Sequence, residues 1–184
     1  MFSRASDFVP RGLGWVGNLG AIWLACAFVA GALVATTTRS AVAAGSCTLA
    51  IATFVHYWSL RVAMDGLGAD LLRFPVPQWL LVGIVLGGAF GALGRAWRTG
   101  RGQVAVASVM GAVFGAEALY LIVAASPNAL RLAVPLELVC LLVLPVLLVA
   151  SARRRLASLA GALALAPPVA VAIAITLLVA RRVY

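Results

Sequence analysis

Lysine is absent from this 184-residue chain: all 14 basic residues are arginine, and only five acids and one histidine accompany them. Without lysine there is no Schiff-base chemistry, with pyridoxal phosphate or with retinal. A single histidine excludes the HExxH zinc pattern, and neither GxSxG nor a Gly-rich phosphate loop ending in GK[ST] occurs. No enzymatic activity, cofactor or metal is therefore expected. Cys26, Cys47 and Cys140 have no CxxC spacing and fall in separate apolar runs, so they read as small apolar side chains rather than a disulfide framework or zinc site. The segment Asp65-Gly66-Leu67-Gly68-Ala69-Asp70 superficially suggests a calcium loop but lacks the alternating oxygen ligands and the closing Glu. It reads as a turn into a short interfacial stretch, stopped by Pro75 and Pro77.

Charge of either sign is scarce, at 10% of residues against 64% hydrophobic, and the mean hydropathy is +1.10. Soluble domains are roughly half apolar and about a quarter charged, so a membrane protein is indicated. Apolar runs broken by charge, Pro or Gly place spans at 15–36, 41–62, 78–96, 103–125, 134–150 and 156–180. The expected fold is all-α: a polytopic transmembrane bundle of about six helices in three hairpins, forming one integral membrane domain over 1–184. A β-barrel is excluded because segments such as 138–150 are apolar at every position instead of alternating. The first run, of about 22 residues, exceeds a signal-peptide core and reads as a retained first span.

The net charge of +9 sits at the ends of these runs, where arginine sets topology, and so does not indicate nucleic-acid binding. Loops 37–40, 95–102 and 151–155 hold seven arginines and no acid, which favours a cytoplasmic location for them in a bacterial plasma membrane. Arg4, Arg11, Arg181 and Arg182 fall on the other side and balance the count, leaving dual topology open. Similar turns at Arg39-Ser40-Ala41-Val42, Arg101-Gly102-Gln103-Val104 and Arg155-Leu156-Ala157-Ser158 fit either a triplicated hairpin or the sameness of Ala-rich helices.

Small residues recur every fourth position as Gly83, Gly87 and Gly91 on the third span and as Gly111 and Gly115 on the fourth. Such faces permit close backbone approach, either inside one bundle or against a second copy or another membrane protein. The third span is expected to be central. Pro145 and the pair Pro167-Pro168 fall near mid-span and are expected to break their helices at similar depth, freeing carbonyls as in transporter sites, or else simply to kink them.

Glu117, His56 and Glu137 lie about eight, six and three residues in from the side away from the Arg-rich loops, hence within ~12 Å of it. Tyr57, Tyr120, Asn128, Arg61 and Arg131 fall in or just above the same layer. An ionisable residue within a span is a functional candidate by default, and Glu117 comes first. The expected ligand-, proton- or ion-binding set is Glu117, His56, Tyr120, Glu137 and Arg61, with Glu117 and His56 as the titrating pair. The competing reading pairs Glu117 with Arg61 for packing alone. It places His56 beside Trp58 in an aromatic belt with Trp15, Tyr57, Trp79 and Tyr120.

The residues Asn18-Leu19-Gly20-Ala21-Ile22-Trp23 with Gly31-Ala32-Leu33, the run 87–95, and Gly115-Ala116-Glu117-Ala118-Leu119-Tyr120 resemble an uncharacterised family of small polytopic membrane proteins from high-GC, actinobacterial-type genomes. The likeness covers roughly 15–125 and implies no activity, though it places Glu117 and Tyr120 inside a family motif. A weaker likeness, architectural only, is to the substrate-binding subunits of energy-coupling-factor vitamin transporters, where Ala21, Ala25, Ala27, Gly31 and Ala35 would form the small-residue face of the first helix. The expected function is a small-molecule or ion transport component with an outer-side polar pocket. The alternative is a non-transporting accessory subunit of a larger membrane complex.

Overall fold

A computed structural model describes residues 20–34, 36–65, 76–124 and 127–182, and side chains over 20–34, 36–59, 77–123 and 133–175. Among the described residues six helices follow in order: α1 (Gly20–Val34), α2 (Thr38–Asp65), α3 (Val76–Arg98), α4 (Gln103–Ala124), α5 (Pro127–Leu147) and α6 (Ala152–Arg182). No strand occurs among them, so the fold is all-α, as the uninterrupted apolar runs require. Four stretches are long and apolar enough to cross a bilayer: Thr38–Ser59, Pro77–Arg98, Gln103–Val123 and Ala152–Ile175. Gly20–Val34 and Ala133–Leu147 are apolar but shorter. Side chains such as Ile51, Val55, Leu81 and Val85 are exposed, which fits a hydrocarbon surrounding.

The helices sort into two compact units, Met1–Thr99 with α1 to α3 and Gly100–Tyr184 with α4 to α6. Grouping is thus by threes, where the sequence reading pairs helices by twos. The reason lies in the glycines: α3 and α4 each carry a small-residue stripe that admits two neighbours. Between them, Gly100 and Gly102 adopt φ of +76° and +61°, the left-handed backbone that side chains disfavour, and so turn the chain out of α3 and into α4.

In the first unit the backbones nearly touch. A Cβ on Gly31 would overlap the Gly91 carbonyl oxygen, one on Gly45 the Gly87 carbonyl, and one on Gly94 the Phe28 carbonyl. Gly83, Gly87 and Gly91 face Leu49 and Thr53, Gly45, and Ala41 in turn, so α2 and α3 run antiparallel in a fixed register. Where lipid removes the hydrophobic drive between helices, this contact and its hydrogen bonds hold the pair. Ser46 adds one by donating to the Ile84 carbonyl at 2.7 Å. The helix ends are closed by side chains. The Ser40 N–H donates to Thr37 Oγ1 (3.1 Å) and the Thr37 N–H to Ser40 Oγ (3.0 Å), a reciprocal cap on α2. Arg98 donates to the Ala32 and Leu33 carbonyls at 2.9 and 3.1 Å, closing the C-terminus of α1 and matching its dipole.

In the second unit α4 is central. Space at Gly111 is taken by Pro145 of α5 and Ala162 of α6, and space at Gly115 by Leu141 and Ala166. Residue numbers therefore run oppositely along α4 and α5 and together along α4 and α6. A buried serine network ties the three helices. Ser108 donates to the Ser158 carbonyl (3.0 Å) or to Val104 (2.9 Å), and Ser158 to the carbonyls of Pro145 (3.0 Å) and Arg155 (2.9 Å). Arg155 Nε donates to the Val149 carbonyl at 2.8 Å, so both serine and arginine serve carbonyls at the open end of α5.

The expected helix breaks are corrected. α5 runs through Pro135 and Pro145 as far as Leu147, and α6 runs through Pro167 and Pro168 without interruption. Proline removes one N–H and its bond to the residue four back, but its φ is already helical, so packing can carry the helix past it. The α4 register sets Pro145 level with Gly111 and the Pro167-Pro168 pair level with Glu117, ~8 Å apart along the axis. Pro145 is buried, whereas Pro167 and Pro168 are exposed.

Gly91→Val forces backbone atoms apart on both sides and should lower stability by about 1–3 kcal/mol or more, read as an earlier thermal unfolding in detergent. Ser158→Ala strands the Pro145 carbonyl and should cost about 1–3 kcal/mol in the same assay.

Candidate functional site

Glu137 is the residue that the structure singles out. It is 0% exposed, the bulkiest of the fully buried side chains, and neither carboxylate oxygen has a hydrogen-bond partner among the described residues. Its burial follows from register. Glu137, Leu141 and Pro145 repeat every fourth residue and share one face of α5, and Leu141 and Pro145 pack into the spaces at Gly115 and Gly111. One further turn sets Glu137 opposite position 119 of α4, beside the small and fully buried Ala118. Glu117 lies two residues from that level, or ~3 Å along the axis. The two carboxylates are close enough for their charges to interact, and Glu137 also acts electrostatically on the Cys140 thiol, one turn further along α5.

Two like charges at short range in a poorly solvated place disfavour double ionisation. An ionised carboxylate without hydrogen bonds or a counter-charge is costly to bury, and among the described residues that is the situation of Glu137.

Of the residues proposed from sequence, Glu117 and Glu137 come together, with Tyr120 one turn along α4 from Glu117. Of the two, Glu137 is the more deeply buried. The sequence sets Glu137 only three residues inside a span, but α5 starts at Pro127, so Glu137 lies ten residues into the helix. Pro127 suits that early start, since the first helical position needs no N–H and favours proline's φ. His56 belongs to the first unit. There it stands edge-on to Trp23 (centroids 5.9 Å) and Tyr57 (5.4 Å), while Trp58 stacks on Phe54. Its expected neighbour Trp58 is thus replaced by Trp23 of α1. The side chains of Arg61, Asn128 and Arg131 lie outside the described residues. Composition gave no hint of the Ser108–Ser158 network or of the carbonyl contacts of Arg98 and Arg155. The only available signal was Gly161 near Ser158, whose missing Cβ leaves room for Ser108.

Fold and site together define a multi-helix membrane protein with a carboxylate pair inside its second three-helix unit. Within that class the chain belongs to a family of unknown function, DUF6518, matched over residues 3–181. The match extends well beyond the 15–125 that carried the resemblance to an uncharacterised family. Searches of curated proteins and of solved structures find no match, so the likeness to energy-coupling-factor subunits gains no support.

Because the Glu137 oxygens are unpartnered among the described residues, Glu137→Leu should raise stability, by about 1–4 kcal/mol. A higher unfolding temperature in detergent is the expected result; a marked fall would show that the carboxylate is structural.

Proposed function

We propose that the protein is a non-enzymatic transport component of a bacterial plasma membrane, taking a small molecule or ion at the Glu117–Glu137 site. The observation that carries this reading is the fully enclosed Glu137 carboxylate with both oxygens unpartnered among the described residues. A group that costs stability where it stands is explained by an occupant that satisfies it. The alternative, an accessory subunit that docks through its glycine faces, has less behind it. Gly83, Gly87 and Gly91 are turned to α2, with Gly91 also meeting Gly31 of α1, and Gly111 and Gly115 to α5 and α6.

The test is to purify the tagged protein from its native membrane in mild detergent and identify what accompanies it. A small molecule retained by the wild type and lost from Glu137→Gln and Glu117→Gln is expected. Added back at about a hundred times its Kd, it should stabilise the wild type by about 2.7 kcal/mol and the variants far less. Stoichiometric recovery of a non-transport complex, with no small molecule that depends on either glutamate, would establish the accessory reading instead.

A further inference from the structure

Glu137 requires a neutralising partner, and its surroundings narrow the choice. Among the described residues the ionisable groups that reach it are another acid, Glu117 of α4, and the Cys140 thiol of its own helix. Tyr120 of α4 stands at the same level. From α6 nothing ionisable is available, because positions 156–180 contain no acid, histidine, cysteine, tyrosine or arginine. Arg131 stands six positions earlier on α5, outside the described side chains. A hard metal cation takes about six or more oxygen ligands. Among the described residues neither Glu137 oxygen has a hydrogen-bond partner, and no group of three His, Cys, Asp or Glu that could supply such a shell occurs. A proton alone needs no shell of ligands.

We propose that Glu137 is an exchangeable proton-binding site and that Glu117, on the facing helix, is the charge that governs its release. The proposal deepens the transport reading and rests on the same site, by naming the ion. The chemistry is a single reversible step: the Glu137 carboxyl O–H breaks, its electron pair stays on the carboxylate, and the proton passes to water admitted to the site. While Glu117 is ionised, a second negative charge nearby is disfavoured and Glu137 keeps its proton. When Glu117 is neutralised, by its own proton or by a cationic substrate group, that penalty disappears and Glu137 can release. The two carboxyls therefore titrate as a pair.

The test uses dicyclohexylcarbodiimide, an apolar reagent that couples to protonated carboxyls, on the intact protein in lipid nanodiscs, with labelled peptides assigned by mass spectrometry. Glu137 should be labelled at mildly acidic to neutral pH, and the rate should fall about tenfold per pH unit once the proton is released. Sodium or potassium chloride should not protect it. In Glu117→Gln the fall should move to lower pH, a displacement that a purely structural Glu117 would not produce. Infrared difference spectra across a pH jump supply a second readout that does not depend on reagent access. A protonated-carboxyl band should disappear at alkaline pH in the wild type and be missing in Glu137→Gln. Protection by sodium or potassium would make the site a cation site and overturn the proposal. So would the absence of both label and band, as expected if Arg131 held Glu137 ionised. Neither readout needs a transported molecule. Labelling of a protein recovered stoichiometrically with a non-transport complex would sink the transport reading and leave the proton site standing; a retained small molecule that depends on Glu137, with neither label nor band, would do the opposite.

Discussion

Contact between bare backbones is the constraint on which the first unit depends. In water, helices associate because apolar faces leave the solvent; in lipid that drive is gone, and what remains is close fit and hydrogen bonding. Gly31, Gly45, Gly87, Gly91 and Gly94 supply the fit by leaving out side chains at the points where α1, α2 and α3 cross. The fixed register then brings Ser46 to the Ile84 carbonyl and Arg98 to the end of α1. Polar ties accompany the close approach.

The second unit obeys the same rule with a different filling. Its α4 glycines receive side chains, namely Pro145, Leu141, Ala162 and Ala166, and not backbone. Ser158 and Arg155 then serve carbonyls at the end of α5, and Ser108 the Ser158 carbonyl. Against this thorough pairing of polar groups, Glu137 stands out. Ser158 is turned to the carbonyls of Pro145 and Arg155, yet a whole carboxylate is left unserved among the described groups.

Much of this was legible in the residues, because lipid imposes simple rules. Unbroken apolar runs identify helices, and four-residue spacing of Gly83, Gly87 and Gly91 identifies the face of α3 that packs. Glu117 stood out because a charge inside an apolar run is conspicuous. Glu137 was undervalued because the segment before it, containing Asn128 and Arg131, reads as a loop by composition, while Pro127 starts a helix there. Depth counted from an assumed boundary inherits the error of that boundary. The prolines misled for a related reason: composition marks where a hydrogen bond is missing, but only packing decides whether the helix continues. The threefold grouping of helices was hidden because short turns look alike whether they join partners or separate units.

Arg98 and Arg155 give the absence of lysine a mechanical meaning. Both lie in segments that composition assigns to topological charge, yet each reaches back to backbone carbonyls, Arg98 to two at once. A guanidinium can do this and still present further N–H groups in its plane to lipid phosphates, whereas an ammonium is a compact, strongly hydrated point charge. These arginines act as rivets, each fastening a helix end to its neighbour. A lysine replacement would preserve the count of positive charges and still loosen the joint, so charge tallies alone understate what these positions do.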